Sequence, residues 1–436
     1  MLGFTRKTPP VVYLGVPLLS TKLTRVDCNA LLEKLTARIK LWTTATLSYA
    51  GRLQLIKSVL FSMQVYWSSM FVLPASVIRS LEGTLAAFLW RGSSMARHGA
   101  KVSWNHICYP KQEGGLGVKS IREWNMAATC KHLWRINTAT GSIWTDWVKS
   151  ELLKGNSIWR ARVKGPVSWA WRKILESRIW FRGMFKSTIG SGANTSLWFD
   201  PWLPDGRSLI NSYRARILAS TGLPWDAKVD SIIQNGNWSF PAGHPDISAA
   251  WGSITFQPRV HRLDRLVWAG HHSGNFNIAS AWDFIRRKRQ THPYACITWF
   301  PGHIPRHAFI LWLAMRGRLA TMDRPHVQRK VTVNVCVLCG VQPETHTHLF
   351  FQCGYSSALW VHLSTKAGAI CPFSQWDDIL QWASSNFHHK KNFSHNLACY
   401  ALSTSVYLTY LQQQAHGSEY DQGGGHEDYK NYDAQP

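Results

Sequence analysis

Acidic side chains are scarce in this chain. Its 436 residues hold 24 Asp and Glu against 49 Lys and Arg, a formal net charge of +25. That imbalance favours a polyanionic partner, of which nucleic acid is the commonest; the bland alternative is a soluble protein that is merely basic. Cysteine is sparse too. Nine in so long a chain do not make a disulfide framework. Cys28, Cys108, Cys130, Cys296 and Cys399 stand alone and read as buried thiols, and Cys371 lies too far from the remaining three to join them. The opening "MLGFTRKTPP" lacks an apolar core, so no secretory signal is expected, and the expected compartment is intracellular, nuclear rather than cytoplasmic. Long apolar runs are lacking as well. The best candidate, Ser58 to Ile78, carries Ser62, Gln64, Ser68, Ser69 and Pro74, and reads as a buried helix ending near Pro74, so no membrane partner is expected. A Walker-type glycine loop and an HExxH pair are also missing.

Tryptophan, by contrast, is abundant: 24 residues, expected mostly to fill cores or line partner interfaces, although Trp also stacks on bases. The patterning predicts a mainly α protein with short β segments (α+β). Residues 1–136 read as a helical region. Leu31, Leu35, Ile39 and Trp42 form one stripe, and Leu53, Ile56, Leu60 and Met63 a second behind Ser48. Ile78, Leu81, Leu85, Phe88 and Leu89 form a third. Residues 137–269 read as a Trp-rich irregular connector, 270–365 as a small zinc-knuckle domain, 366–411 as a helical extension and 412–436 as a disordered tail. Within 270–365, "SGNFNIASAWDFIRRKR" predicts a brief strand feeding a helix capped at Ser280, and "IPRHAFILWLAM" a helix with Pro305 in its first turn.

One window carries chemistry. "CVLCGVQPETHTHLFFQC" holds Cys336, Cys339, His348 and Cys353 in the spacing C-x2-C-x8-H-x4-C. Zinc takes four tetrahedral ligands from thiolate and imidazole, and two cysteines separated by two residues clamp one metal from a tight turn, which Gly340 assists. Four protein ligands leave no open coordination position, so one structural Zn2+ is the expected cofactor. His346 is the rival imidazole and is expected beside the site. The alternative for the whole window is a patch of free thiols.

These residues carry a resemblance. The window, with "WFPGHIPRHAFILWLAMRGRLATMDR" before it, resembles the zinc-binding domain that follows the reverse transcriptase of plant non-LTR (LINE-type) retrotransposons. "YLGVPL", "GRLQLIKSVLFSMQVYW", "FLWRG", "PKQEGGLGV", "WFDPWL" and "GNFNIASAW" resemble segments of the same polyprotein in the same order, from about Tyr13 to Trp360. The resemblance implies that residues 1–136 correspond to the region after the polymerase palm, and that Cys336, Cys339, His348 and Cys353 are the ligands. Pro325 and the C-terminal "ALSTSVYLTYLQQQ" depart from the family pattern.

The carboxylate pair of a polymerase palm is missing. The sole Asp-Asp, Asp377-Asp378, has Gln375 where the aromatic should stand and reads as a helix start; a four-acid ribonuclease H cluster is not visible. The expectation is therefore a non-catalytic, retrotransposon-derived zinc protein that binds RNA or DNA. Phosphate contacts are expected from Arg286, Arg287, Lys288 and Arg289, or from Arg316, Arg318, Arg329 and Lys330, each run being equally well a solvated face. Alternatives are a zinc-stabilised module that docks on a polymerase or host protein, a relic without a role and, weakest, residual polymerase activity.

Overall fold

The computed structural model describes residues 11–19, 21–42, 47–92, 99–138, 141–163, 165, 167–323, 334–387 and 393–420. Helices dominate, with three two-stranded antiparallel pairings among the described residues. No described helix is long and apolar enough to cross a membrane.

The chain divides into two compact units. One comprises Met1–Asn29, Gln64–Ile78 and Ile121–Arg287; the other comprises Ala30–Met63, Arg79–Ser120 and Lys288–Pro436. The sequence reading expects consecutive segments, whereas the units interleave. The reason is that different stretches of the helical first third are claimed by different cores.

In the first unit, a hairpin pairs Val11–Tyr13 with Val16–Leu18. Its two-residue turn places Leu14 at φ 50° and Gly15 at φ 78°, the left-handed pair that a tight hairpin requires. Tyr66 donates to the carbonyl of Leu14 at 3.2 Å. Helix Ile121–Thr138 packs against helices Trp169–Phe181 and Ile278–Ile285. Asn125 ties in the segment after Met70: its Oδ1 accepts from the Leu73 amide at 2.9 Å, and its Nδ2 donates to the carbonyls of Ser68 and Phe71. The end of a helix leaves such carbonyls without intrahelical partners.

The stretch expected as an irregular connector is irregular in backbone yet holds two packed cores. In the first core, strands Phe185–Thr188 and Arg265–Trp268 pair so that Phe185 faces Trp268, ring centroids 5.3 Å apart and nearly perpendicular. Trp159, Trp171 and Phe181 complete it. The second gathers Trp198, Trp202 and Trp251. "WFDPWL" is its spine: Trp198 and Trp202 are buried, and Asp200 between them accepts from Ser157 and from the Ser196 amide. Asp264 closes the neighbouring loop, accepting from the amides of Gly190, Gly192 and Asn194 and from Thr195 Oγ1 at 2.8–2.9 Å. Helix Ile278–Ile285 is capped by Asn277, whose Oδ1 accepts the Ala279 amide at 2.7 Å. Ser280, the expected cap, instead accepts from Trp268 Nε1, and the strand lies earlier, at Arg265–Trp268.

In the second unit, Leu31, Leu35 and Ile39 bury one face of helix Asn29–Lys40 as the stripe predicts. Ser48 caps the next helix by accepting from Gly51. Helix Pro305–Met315 buries every residue from Ala308 to Ala314, with Phe309 stacked on Tyr49 at 5.5 Å. It packs against the long helix Phe393–Tyr420. Residues 412–420, expected as part of a disordered tail, are therefore helical, and Gln413 is buried. The rest of that tail, 421–436, lies outside the described residues.

Candidate metal centre and basic surface

The four residues singled out by spacing are gathered in the second unit. One ligand atom from each of Cys336, Cys339, His348 and Cys353 lies within 4.8 Å of all the others. Two local turns achieve this. In the first, the Gly340 amide bonds back to the Cys336 carbonyl at 2.8 Å and the Cys336 amide to the Gln342 carbonyl at 2.7 Å; Gly340 supplies the left-handed φ of 65°. In the second, residues His348–Gln352 form a π turn closed by the Cys353 amide on the His348 carbonyl at 2.7 Å. A π bond joins residues five apart, so the four-residue gap brings His348 and Cys353 to one side. Cys353 also opens helix Gly354–Lys366.

The spacing of the donors fits a tetrahedral ion. Cys336 Sγ and Cys353 Sγ are 3.9 Å apart, and Cys339 Sγ is 3.4 Å from His348 Nε2. Zinc–ligand lengths of about 2.3 Å for sulfur and about 2.0 Å for nitrogen require tetrahedral edges of about 3.8 and about 3.5 Å. Backbone amides of Gln342 and Val341 hold the Cys339 thiol down to about 6, a ready thiolate. Burial pushes Cys336 up to about 12. A buried thiol that resists ionisation beside one that favours it is the mixture a dication would convert to thiolates throughout. These four residues would hold a zinc ion, which would supply the chemistry of a closed structural centre. His348 Nδ1 is buried without a hydrogen-bond partner.

His346 is not among the gathered donors. Its ring meets Trp376 edge-on at 4.3 Å and Phe350 at 5.1 Å. Phe350, Phe351, Trp360 and Trp376 form an aromatic shell next to the ligands. A polar tie lies close by in sequence. Glu344 is fully buried; its Oε1 accepts from the Met322 amide at 3.2 Å and from Gln413 Nε2 at 2.8 Å, while Gln413 also donates to the Ala320 carbonyl. Burial raises the Glu344 carboxyl above its ordinary value. The C-terminal helix that departs from the family pattern thus clasps the loop between the two ligand pairs.

The expected phosphate contacts fare unevenly. Arg286 is bonded to Asp283 at 2.7 Å and lies over the Trp282 ring. Arg287 and Lys288 are exposed. Arg286 and Arg287 fall in the first unit, Lys288 and Arg289 in the second, so the run is not one patch of a single unit. Arg289 is exposed over the Tyr109 ring, 4.3 Å from its centroid. Arg316 donates to the Gly114 carbonyl and lies over Trp312. Arg318 is exposed. Arg329 and Lys330 lie outside the described residues. Burial lowers the pKa of His106, and the charges of Arg289, Arg316 and Arg318 lower it further. Asp377 and Asp378 sit in the first turn of helix Trp376–Asn386, acids at a helix start.

Residues 276–360 match the family described as zinc-binding in reverse transcriptase. This segment is thus similar to the zinc-binding domain of reverse transcriptases, and similarity to a curated protein extends over most of the chain. It is 28% identical over 395 residues to the Arabidopsis thaliana protein named "Putative ribonuclease H protein", covering 85% of this chain. The chain spans 61% of that relative's length. It is also 29% identical over 146 residues to an Arabidopsis thaliana "Uncharacterized mitochondrial protein", covering 33% of this chain and 94% of the relative.

Proposed function

We propose that this chain is a non-catalytic, retrotransposon-derived protein that binds nucleic acid from a scaffold fixed by one structural zinc ion. The observation that carries the reading is the set of four mutually close donors, three thiols and an imidazole. Such a set fills a tetrahedral shell and leaves no position for substrate or water. The chain's surplus of positive charge supplies the affinity, and Arg289 and Arg318 are exposed to deliver it. The reading as non-catalytic is supported by the placement of Asp377-Asp378 in the first turn of a helix and not on one of the described strands.

Two measurements test this. Metal analysis of the purified chain should find one zinc, absent from Cys336→Ser. Anisotropy titration with labelled oligonucleotides should show affinity falling steeply between about 50 and about 200 mM salt. Nucleotide incorporation in a primer-extension assay with Mg2+ would overturn the non-catalytic part.

A second reading is a docking module for a polymerase or host protein. It is favoured by apolar side chains left in solvent in the first unit: Ile143, Trp147, Ile179 and Trp180 are 91%, 52%, 81% and 59% exposed. Binding to a protein that is insensitive to salt would move the conclusion to that reading.

A further inference from the structure

Within the second unit, a set of cations meets around the loop "PKQEGGLGV" that the sequence does not single out. Lys57, from the π turn Ile56–Leu60, and Lys111, from the loop, flank Gly117: a Cβ placed there would lie 3.6 Å from Lys57 Nζ and 4.0 Å from Lys111 Cγ. Lys57 Nζ donates to the Leu116 carbonyl. Lys111 Nζ sits 3.4 Å from His303 Nε2 and 4.2 Å from the centroid of Trp299. His303 Nδ1 is 2.8 Å from the Phe300 carbonyl, which fixes the ring proton on Nδ1 and leaves the Nε2 lone pair for Lys111. Lys111 also lines a small recess with Gly114, His292, Trp299, Trp312 and Arg316.

Both lysines are half-buried, and no carboxylate among the described residues lies within ion-pair distance of Lys57, Lys111, Arg289, Arg316 or Arg318. Glu113, on the same loop, accepts the backbone amide of Arg289. Partly desolvated ammonium groups that repel one another without an acid nearby are costly, and an anion between them offsets both terms. Burial, then Lys111, pushes Lys57 down to about 8. Each ammonium has three N–H donors; one is taken by Leu116 and one by His303, which leaves two on each lysine for an anion's oxygens.

We propose that Lys57 and Lys111 grip one phosphodiester of a nucleic-acid strand beside Gly117, with His303 as the residue that positions Lys111. This rests on the nucleic-acid reading above and gives it a definite contact. Gly117 contributes by having no side chain: its φ of 68° suits glycine, and a Cβ there would crowd the Lys57 ammonium and the stem of Lys111.

The test uses the full zinc-loaded chain and a fluorescein-labelled single-stranded oligonucleotide, titrated at several salt concentrations. Lys111→Gln should weaken binding roughly tenfold and reduce the slope of log affinity against log salt by about 1, the signature of one lost phosphate contact. Lys57→Gln should do the same. Lys111→Arg should restore the slope. Lys173→Gln, removing a lysine paired with Glu176 at 2.5 Å, should leave it unchanged. Should Lys57→Gln fail to fold, Lys111→Gln decides, because that side chain is half-exposed and its removal leaves no cavity in the core. Salt-dependent binding by the parent chain with an unaltered slope in Lys111→Gln would overturn this inference and leave the proposed function standing. Absence of oligonucleotide binding by the parent chain would overturn both.

Discussion

The Trp-rich stretch 137–287 and the segment around the four gathered donors, 334–387, face the same physical problem and solve it differently. Both have short elements and much irregular backbone. The first relies on large aromatic burial, with indole N–H groups tied to nearby acceptors: Trp198 to the Pro224 carbonyl, Trp202 to that of Leu197, Trp238 to that of Phe256 and Trp268 to Ser280, all at 2.7–2.8 Å. The second has a smaller aromatic shell and buries Cys336, His348 and Cys353 against one another. Irregular backbone can be fixed by apolar area or by a metal, and the two should fail under different insults.

The sharpest break in that comparison is Cys336→Ser, or chelation of the parent chain. Structural zinc contributes on the order of 10 kcal/mol in small zinc domains. Limited proteolysis should then cut first between residues 334 and 353, while 137–287 keeps its protection. Equal protection of 334–353 with and without metal would show that aromatic packing suffices there. The converse insult is Trp268→Ala, which empties the centre of the first core. Its ring touches Phe185 at 5.3 Å and Phe276 at 5.0 Å. The expected loss is about 4 kcal/mol in urea unfolding, with zinc content unchanged. Asp264→Ala should cost less, about 3 kcal/mol, since it removes an acceptor of four hydrogen bonds but opens little volume. An effect below about 0.5 kcal/mol would mean that the Gly190–Thr195 loop is held by its packing instead.

Much of this was legible before any coordinates. Apolar spacing marks the helices of the first third, because a helix must hide one face; Ser48 marks the start of one of them and Pro305 the start of a later helix. The gathering of Cys336, Cys339, His348 and Cys353 was legible because two of the three gaps correspond to one turn each: x2 to the clamp at Gly340, x4 to the π turn at His348. The interleaved units were not legible. Which face of a helix packs on which core depends on contacts between residues far apart in sequence, such as Asn125 with Leu73 or Tyr49 with Phe309. Helicity at 412–420 was hidden for a similar reason: a polar run of glutamines looks solvated until Gln413 finds Glu344. The Lys57–Lys111 pair was invisible because a lone lysine on a helix reads as a solvated charge.

A finer distinction between the two regions concerns acid. In the first unit, His132 is half-buried on helix Ile121–Thr138, its Nε2 3.0 Å from the Ser69 carbonyl and its ring edge-on to Trp144 at 5.5 Å. Burial lowers its pKa, the Ser69 carbonyl partly opposes that, and Arg135 and Lys131 lower it further. The folded state therefore prefers the neutral ring, whereas the unfolded chain takes up its proton near the ordinary value of about 6.5. Between those two pKa values the unfolded state binds more protons. Stability is then complete above about pH 6.5 and declines as pH falls toward the folded pKa. His132→Gln keeps an N–H donor for the Ser69 carbonyl but cannot charge. Its unfolding midpoint should drop less than the parent's between about pH 7.5 and about pH 5.5, as read by urea titration. In the second unit, His106, His292, His303 and His307 are lowered by burial in the same sense, so the parent should retain a residual acid sensitivity that His132→Gln does not remove. Identical acid sensitivity in parent and variant would place the whole effect in the second unit, where zinc release by protonated ligands acts in the same direction.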